Sequence, residues 1–108
     1  MKDSLDWQKE TFLEEMDSPE EARELLQVFE LSSESLLSEI EKALAEGNLP
    51  LVREKAHALK GACATIFFER ARLLAYDLEK AADLETAKEH FAQLQKMLKE
   101  FQKVIANF

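Results

Sequence analysis

The residues that interrupt helices are scarce in this chain, which has two glycines and two prolines among 108 residues. Glycine and proline are the strongest local breaks in regular structure. With Leu, Ala, Glu and Lys abundant, their scarcity favours an all-α fold. A chain of this length can bury one hydrophobic core, so we expect residues 1–108 to form a single domain.

Cysteine and long apolar segments are also nearly absent. The single cysteine, Cys63, cannot form an internal disulfide, and its position on the apolar side of a predicted helix indicates a small, unreactive thiol. No apolar run approaches the roughly 20 residues that span a bilayer, and the charged N-terminus lacks the apolar centre of a signal peptide. We therefore expect a cytoplasmic protein without a membrane segment.

Basic residues are outnumbered, with 14 Lys and Arg against 22 Asp and Glu and a net charge of −8. No basic face is large enough to displace counterions from a phosphate backbone, which argues against nucleic-acid binding. The acidic residues fall at helix starts and on exposed faces, where they complement helix dipoles and aid solubility. The sequence contains no glycine-rich phosphate loop, no serine or cysteine triad and no convincing metal-ligand spacing.

The clearest helix boundaries lie in the N-terminal half. A short first helix is predicted over about residues 4–16. The residues available for burial there are Leu5, Phe12, Leu13 and Met16. Ser18 then caps a second helix, Pro19 suits its first position and Glu21 completes a capping box. Gly47 supplies the left-handed residue that ends this helix, and Asn48 can cap the next.

Three more helices complete the predicted fold. The third covers about residues 49–67, but neither glycine nor proline marks its end. A fourth helix follows, and Asp83 caps a long last helix. Apolar residues recur along this last helix at spacings of three and four: Leu84, Ala87, Phe91, Leu94, Leu98, Phe101, Ile105 and Phe108. Short connections make consecutive helices antiparallel. The prediction is an up-down-up-down four-helix bundle with a short additional N-terminal helix.

His57 is predicted on the outward side of the third helix. One apolar stripe runs along this helix through Val52, Ala56, Leu59, Cys63 and Ile66. At about 100° per residue, His57 lies roughly 140° from the centre of the stripe and should face solvent. Arg53, Lys60, Gly61 and Ala64 share its side of the helix. Two cations and two very small residues therefore surround an imidazole, which suits close approach of a large anionic group.

This arrangement also suits phosphoryl chemistry. Neutral imidazole is a competent nucleophile near pH 7, and Lys60 can offset charge on phosphoryl oxygens. Gly61 in mid-helix costs roughly 1 kcal/mol relative to alanine, which indicates close approach by a partner. An ordinary surface histidine is the alternative interpretation of His57. Glu54, one turn away, is interpreted as solvated, and His90 has no motif around it and is interpreted as structural or incidental.

The segment His57-Ala58-Leu59-Lys60-Gly61-Ala62, on the third helix of such a bundle, resembles the histidine-containing phosphotransfer (Hpt) domain family. The resemblance covers about residues 11–104. It includes the Pro-Glu-x-x-x-x-Leu-Leu-x-x-Phe opening of the second helix and the Ala-Glu-Gly-Asn-Leu entry to the third. It implies that His57 accepts a phosphoryl group from an aspartyl phosphate on a receiver domain and passes it to another. It further implies that Lys60 steadies this group and that Gly61 keeps the approach clear.

The resemblance also implies partners and cofactors. The expected partners are response-regulator receiver domains, with a hybrid sensor histidine kinase as a further candidate, and the protein is expected to be a monomer. The Mg²⁺ that such transfers need would sit in the acidic pocket of the receiver, so no cofactor is expected in this chain. The chain has no nucleotide-binding domain. It is therefore expected to carry phosphate without autokinase activity.

The sequence departs from the family pattern after the motif, where a second glycine usually follows ten residues after the histidine. This chain has Phe67 there, followed by Phe68, which would lie on the side of His57 if the third helix continued. Phe67 and Phe68 could reshape the docking surface or simply repack the end of the helix, and a non-catalytic adaptor is the alternative function. Phe12, Leu13 and Phe68 could form an apolar docking patch or be buried. A self-associating coiled coil and a domain excised from a larger kinase are further alternatives.

Overall fold

A computed structural model describes residues 5–108 and contains five α-helices, with no β-strand in these residues. The helices are α1 (Lys9–Glu15), α2 (Pro19–Ala45), α3 (Leu49–Thr65), α4 (Glu69–Glu79) and α5 (Leu84–Ala106). The predicted all-α bundle with a short N-terminal helix is confirmed. No helix in this described part of the chain combines the length and the apolar character needed to cross a membrane.

The four longer helices form a closed arrangement around the core. Each of them packs against the next, and α5 returns to pack against α2. The molecule measures 42 × 26 × 20 Å along its principal axes. Each helix contributes fully buried side chains to the common core, among them Leu26, Ile40, Leu59, Leu78, Leu94 and Phe101. The apolar stripe of α5 is therefore buried within the bundle, against α2 and α4.

Local capping bonds define the beginnings of three helices. The Ser18 hydroxyl accepts the Glu21 backbone N–H at 3.1 Å, as predicted. The Glu21 carboxylate accepts the N–H of Asp17, at 3.3 Å, one residue before the cap. Asn48 and Asp83 cap α3 and α5 by accepting backbone N–H groups three residues further on. These bonds act over only three or four residues, which is why local sequence predicts them.

The first helix is shorter than predicted. Its expected beginning at residue 4 lies outside the described residues, and the helix begins only at Lys9. Asp6 has a left-handed backbone (φ 54°), which does not continue a right-handed helix. Leu5 and Phe12 are buried as expected. Leu13, a further candidate for burial, is instead 39% exposed. A seven-residue helix has one inward face, and Phe12 occupies it.

The end of α3 explains how a helix stops without glycine or proline. Phe67 has a left-handed backbone (φ 59°), and its N–H donates to the Ala64 carbonyl at 3.1 Å. The N–H of Phe68 reaches the Cys63 carbonyl at 3.0 Å, which completes a Schellman motif. The end of α2 repeats this geometry at Gly47 (φ 71°). Phe67 thus occupies the position that favours glycine, at a cost of about 1–2 kcal/mol.

The N-terminal segment bonds to this left-handed turn. The Trp7 indole N–H donates to the Ile66 carbonyl at 2.8 Å, and the Gln8 backbone N–H lies 3.4 Å from the Phe67 carbonyl. The Trp7 ring also packs edge-on against Phe101, with ring centroids 4.8 Å apart. Carbonyls that the end of α3 leaves unpaired are therefore satisfied by residues about 60 positions earlier in the chain.

Candidate functional site

His57 lies in the middle of α3 with its side chain 67% exposed. The buried residues of α3 are Val52, Ala56, Leu59 and Cys63. They occupy the opposite side of the helix, so the predicted outward position of His57 is confirmed. The ring of His57 nevertheless has a partner, because its Nδ1 lies 2.9 Å from Glu79 Oε2.

Glu79 joins two of the predicted site residues. It is the last residue of α4 and its side chain is only 16% exposed. Its Oε2 contacts His57 Nδ1, and its Oε1 lies 2.8 Å from Lys60 Nζ. Hydrogen bonding from Lys60 holds the pKa of Glu79 below its usual value, and the bond to His57 acts in the same direction. The carboxylate is therefore ionised at neutral pH.

An ionised Glu79 determines which nitrogen of His57 carries the proton. A carboxylate can only accept hydrogen bonds, so Nδ1 must carry a hydrogen and donate it. In the neutral ring the other nitrogen, Nε2, then keeps the lone pair. The contact thus orients the imidazole and leaves Nε2 as its nucleophilic atom.

The two cations expected beside His57 are held differently. Lys60 Nζ lies between Glu79 and the face of Tyr76, at 5.3 Å from the ring centroid. Its side chain is 22% exposed, so the ammonium is held in place close to His57. Arg53 instead donates to the Ala81 carbonyl at 2.9 Å. The Arg53 guanidinium thereby stabilises the connection after α4. Of these two cations, Lys60 is the one that shares a partner, Glu79, with His57.

Gly61 leaves an open surface beside His57. A Cβ atom built on Gly61 would meet no heavy atom within 4 Å. Packing within the chain therefore does not require glycine at this position. Ala64, one turn further along α3, is also exposed and adds little side chain. This part of α3 can accept close contact from another molecule.

The aromatic residues after the motif do not lie on the face of His57. Phe68 is fully buried, with its ring centroid 4.6 Å from that of Phe101. The position of Phe68 on the His57 side required α3 to continue through it, and this condition is not met because the chain turns at Phe67. Of the two alternatives for Phe12, Leu13 and Phe68, burial holds for Phe12 and Phe68, and only Leu13 is exposed. Buried Phe68 cannot obstruct docking, so this reason for the adaptor alternative is reduced to Phe67, which is half-buried.

Other candidate groups lie outside the site. Cys63 is buried, and burial raises the pKa of its thiol to about 12, which confirms the unreactive interpretation. Glu54 is exposed, and His90 is half-buried on α5. Among residues 5–108, no group of three or more His, Cys, Asp or Glu side chains is arranged to hold a metal ion.

A sequence model of the Hpt domain matches residues 24–104. The matched segment runs from α2 into α5 and includes all of α3 and α4, with His57, Lys60, Gly61 and Glu79. The chain belongs to the Hpt domain family. No curated protein and no solved structure gave a significant match.

Hpt domains interact with receiver domains and kinases in the phosphorelays of two-component signalling. This Hpt domain accordingly has a phosphotransfer-related role in such signalling. Its sequence motif identified His57, Lys60 and Gly61, which lie within one helical turn or so of each other. The motif did not identify Glu79, which lies 22 positions after His57 and has no distinctive sequence around it. The one sequence-based prediction that bears on Glu79 was the antiparallel pairing of the third and fourth helices, which brings these two helices side by side.

Proposed function

We propose that this Hpt domain relays phosphoryl groups between aspartates of receiver domains through a phosphohistidine at His57. The observation that carries the proposal is the contact of one carboxylate, Glu79, with both His57 and Lys60. This carboxylate orients the nucleophile and holds the cation that would face the transferred group. An incidental surface histidine would require neither contact.

The transfer step follows from the protonation of the ring. His57 Nε2 attacks the phosphorus of an aspartyl phosphate in line, the N–P bond forms, and the P–O bond to aspartate breaks. The aspartate leaves as a carboxylate. Because Nδ1 keeps its proton, the phosphorylated ring carries a positive charge, which Glu79 offsets at 2.9 Å. Transfer to the aspartate of a second receiver reverses these bond changes.

Lys60 and Gly61 complete the proposed mechanism. The Lys60 ammonium stands close enough to His57 to share Glu79, so it can stabilise negative charge on the phosphoryl oxygens. Gly61 has no side chain, and the space above it is open to the receiver. In this proposal the Mg²⁺ that supports transfer belongs to the acidic pocket of the receiver.

Phosphotransfer from phosphorylated receiver domains tests the role of His57. Radiolabelled receivers are mixed with the wild type and with His57→Gln, and the product is tested for stability in acid and alkali. We expect label only on the wild type, as an acid-labile and alkali-stable phosphohistidine. The melting temperature should barely change, because His57 is 67% exposed. Label on His57→Gln, or none on the folded wild type from a broad panel of receivers, would contradict the proposal and favour a non-catalytic adaptor.

Substitutions of Glu79 test whether the shared carboxylate matters for transfer. Glu79→Gln keeps an acceptor for the Nδ1 hydrogen but loses the charge, whereas Glu79→Ala loses both. We expect Glu79→Ala to slow single-turnover transfer about tenfold or more, which corresponds to roughly 1.4 kcal/mol in the barrier. Glu79→Gln should have an intermediate effect, and Lys60→Ala should slow transfer without abolishing it.

Glu54→Gln provides the matched control for charge. Glu54 is exposed and lies one turn from His57 on the same helix. We expect this substitution to leave the transfer rate unchanged. Equal slowing by Glu54→Gln and Glu79→Gln would assign the effect to general electrostatics and remove Glu79 from the mechanism.

A further inference from the structure

Three residues form an exposed stripe along the outer face of α4. Leu73 and Tyr76 lie one turn apart on one side of α4, and Lys80, the residue just after its last, continues the same i, i+3, i+7 spacing. Leu73 is 49% exposed and Tyr76 is 42% exposed, so two large side chains are open to solvent. We call these three residues the α4 stripe.

Tyr76 connects the α4 stripe to the site around His57. Its ring centroid lies 5.3 Å from Lys60 Nζ and 5.7 Å from Lys80 Nζ. The two ammonium groups are therefore no more than 11.0 Å apart. An aromatic face attracts a cation without neutralising it. Tyr76 thus holds Lys80 close to the site and leaves its positive charge available.

Lys80 is a cation near the site whose ammonium has neither an ion pair nor a hydrogen bond within the described residues. Lys60 is paired with Glu79, and Arg53 donates to the Ala81 carbonyl. Within the described residues 5–108, Lys80 forms no ion pair, and its ammonium lies over the Tyr76 ring. The whole chain has a net charge of −8 and repels acidic molecules at long range. A positive group at the edge of the site gives an acidic partner a favourable direction of approach.

We propose that the α4 stripe is a docking surface for a receiver domain, with Lys80 contacting a carboxylate on the receiver; the proposal rests on the proposed relay function. A pocket that binds a divalent cation beside a phosphorylated aspartate is built from carboxylates, so its rim is acidic. Lys80 complements this charge, and Leu73 and Tyr76 supply apolar contact area next to it. The Lys80 ammonium is bonded to neither His57 nor the Glu79 carboxylate, whose partners are His57 and Lys60, so Lys80 acts on the encounter and not on the transfer step.

Charge reversal at Lys80 tests this surface. Transfer from a phosphorylated receiver is measured by stopped flow for the wild type and Lys80→Glu at several ionic strengths. We expect Lys80→Glu to lower kcat/KM about tenfold at low salt through KM, with the saturating single-turnover rate within about twofold of the wild type. The difference should shrink with added salt, because the screening length falls from about 30 Å at 0.01 M to about 3 Å at 1 M.

Two controls separate docking from folding and from net charge. Lys99→Glu makes the same charge change at an exposed position on α5 and should leave KM within about twofold of the wild type. Far-ultraviolet circular dichroism and melting curves confirm that each variant is folded.

The outcomes separate this proposal from the relay function on which it rests. Equal KM values for Lys80→Glu, Lys99→Glu and the wild type, with transfer intact, would overturn the docking surface and leave the relay standing. A change only in the saturating rate would also overturn it, because Lys80 would then act on the chemical step. A dimer of the wild type that Lys80→Glu dissociates would assign the stripe to a second copy of this chain. Failure of the wild type to accept label at His57 would instead refute the proposed function.

Discussion

Replacing Gly61 with alanine is expected to stabilise this protein. Glycine inside a helix costs about 1 kcal/mol relative to alanine, because its backbone loses more conformational freedom on folding. Gly61 lies in the interior of α3, and an added Cβ would meet no heavy atom within 4 Å. No steric penalty therefore opposes the gain. We expect the free energy of unfolding to rise by about 0.5–1 kcal/mol.

Urea unfolding followed by far-ultraviolet circular dichroism measures this change. In thermal unfolding the melting temperature should rise by roughly 2–8 °C, since 1 kcal/mol corresponds to about 4–8 °C in a domain of 60–100 residues. Gly61→Gln should keep most of this gain because glutamine is also a good helix former. Its longer side chain should nevertheless weaken receiver binding. Stability and binding are thus expected to change in opposite directions at this position.

Gly47 provides the internal control. It ends α2 with φ 71°, and an added Cβ would lie at an ordinary contact distance of 3.7 Å from Leu84 Cδ1. The cost of alanine there is conformational, and we expect a destabilisation of roughly 1 kcal/mol. The two glycine substitutions should therefore shift stability with opposite signs. Destabilisation by Gly61→Ala would refute the reasoning, because α3 would then need glycine for its own packing. Unimpaired receiver binding by Gly61→Gln would leave the glycine without a functional reason.

Two further predictions concern the turn after α3 and the acid sensitivity of the site. Phe67→Gly should be about 1 kcal/mol more stable than Phe67→Ala, because both remove the ring and only glycine readily adopts φ 59°; equal stabilities in urea unfolding would contradict this role of the backbone. Hydrogen bonding from Lys60 keeps the pKa of Glu79 below its usual value in the folded protein. The ionised Glu79 carboxylate therefore stabilises the fold fully at any pH above the ordinary carboxyl pKa. This stabilisation is lost as the pH falls through the lower pKa of the folded state. The difference in melting temperature between the wild type and Glu79→Gln should therefore shrink on acidification, and a difference that grows below about pH 4 would be incompatible with an ionised, paired carboxylate.

Features that depend on neighbouring residues could be predicted from the sequence. The caps at Ser18, Asn48 and Asp83 formed as predicted because each joins groups three residues apart. The outward position of His57 followed from helical periodicity. The apolar stripe of α3 faces the core, and His57 lies on the opposite side of the helix. The short connections determined the antiparallel order of the helices. Local chemistry alone therefore predicted the bundle and the exposed face that carries the site.

The end of α3 was not predictable from local signals. Phe67 adopts a conformation that favours glycine, so the sequence gives no sign of a turn at this position. Burial of Phe68 against Phe101 and the bond from Trp7 to the Ile66 carbonyl stabilise this turn. These contacts join residues that are distant in the chain. The sequence pattern alone therefore left open whether Phe68 lies on the face of His57 or is buried.

The partner of His57 was decided by the tertiary structure. The chain contains 22 acidic residues, and nothing in the sequence around Glu79 distinguishes it from the others. Glu54 is closer to His57 in sequence, but it is exposed, whereas Glu79 lies 2.9 Å from the ring. The packing of α4 against α3 brings the end of α4 to the middle of α3 and shields the carboxylate from solvent. Helical periodicity specifies the direction in which a side chain points along one helix. Only the packing of two helices specifies which side chain it meets.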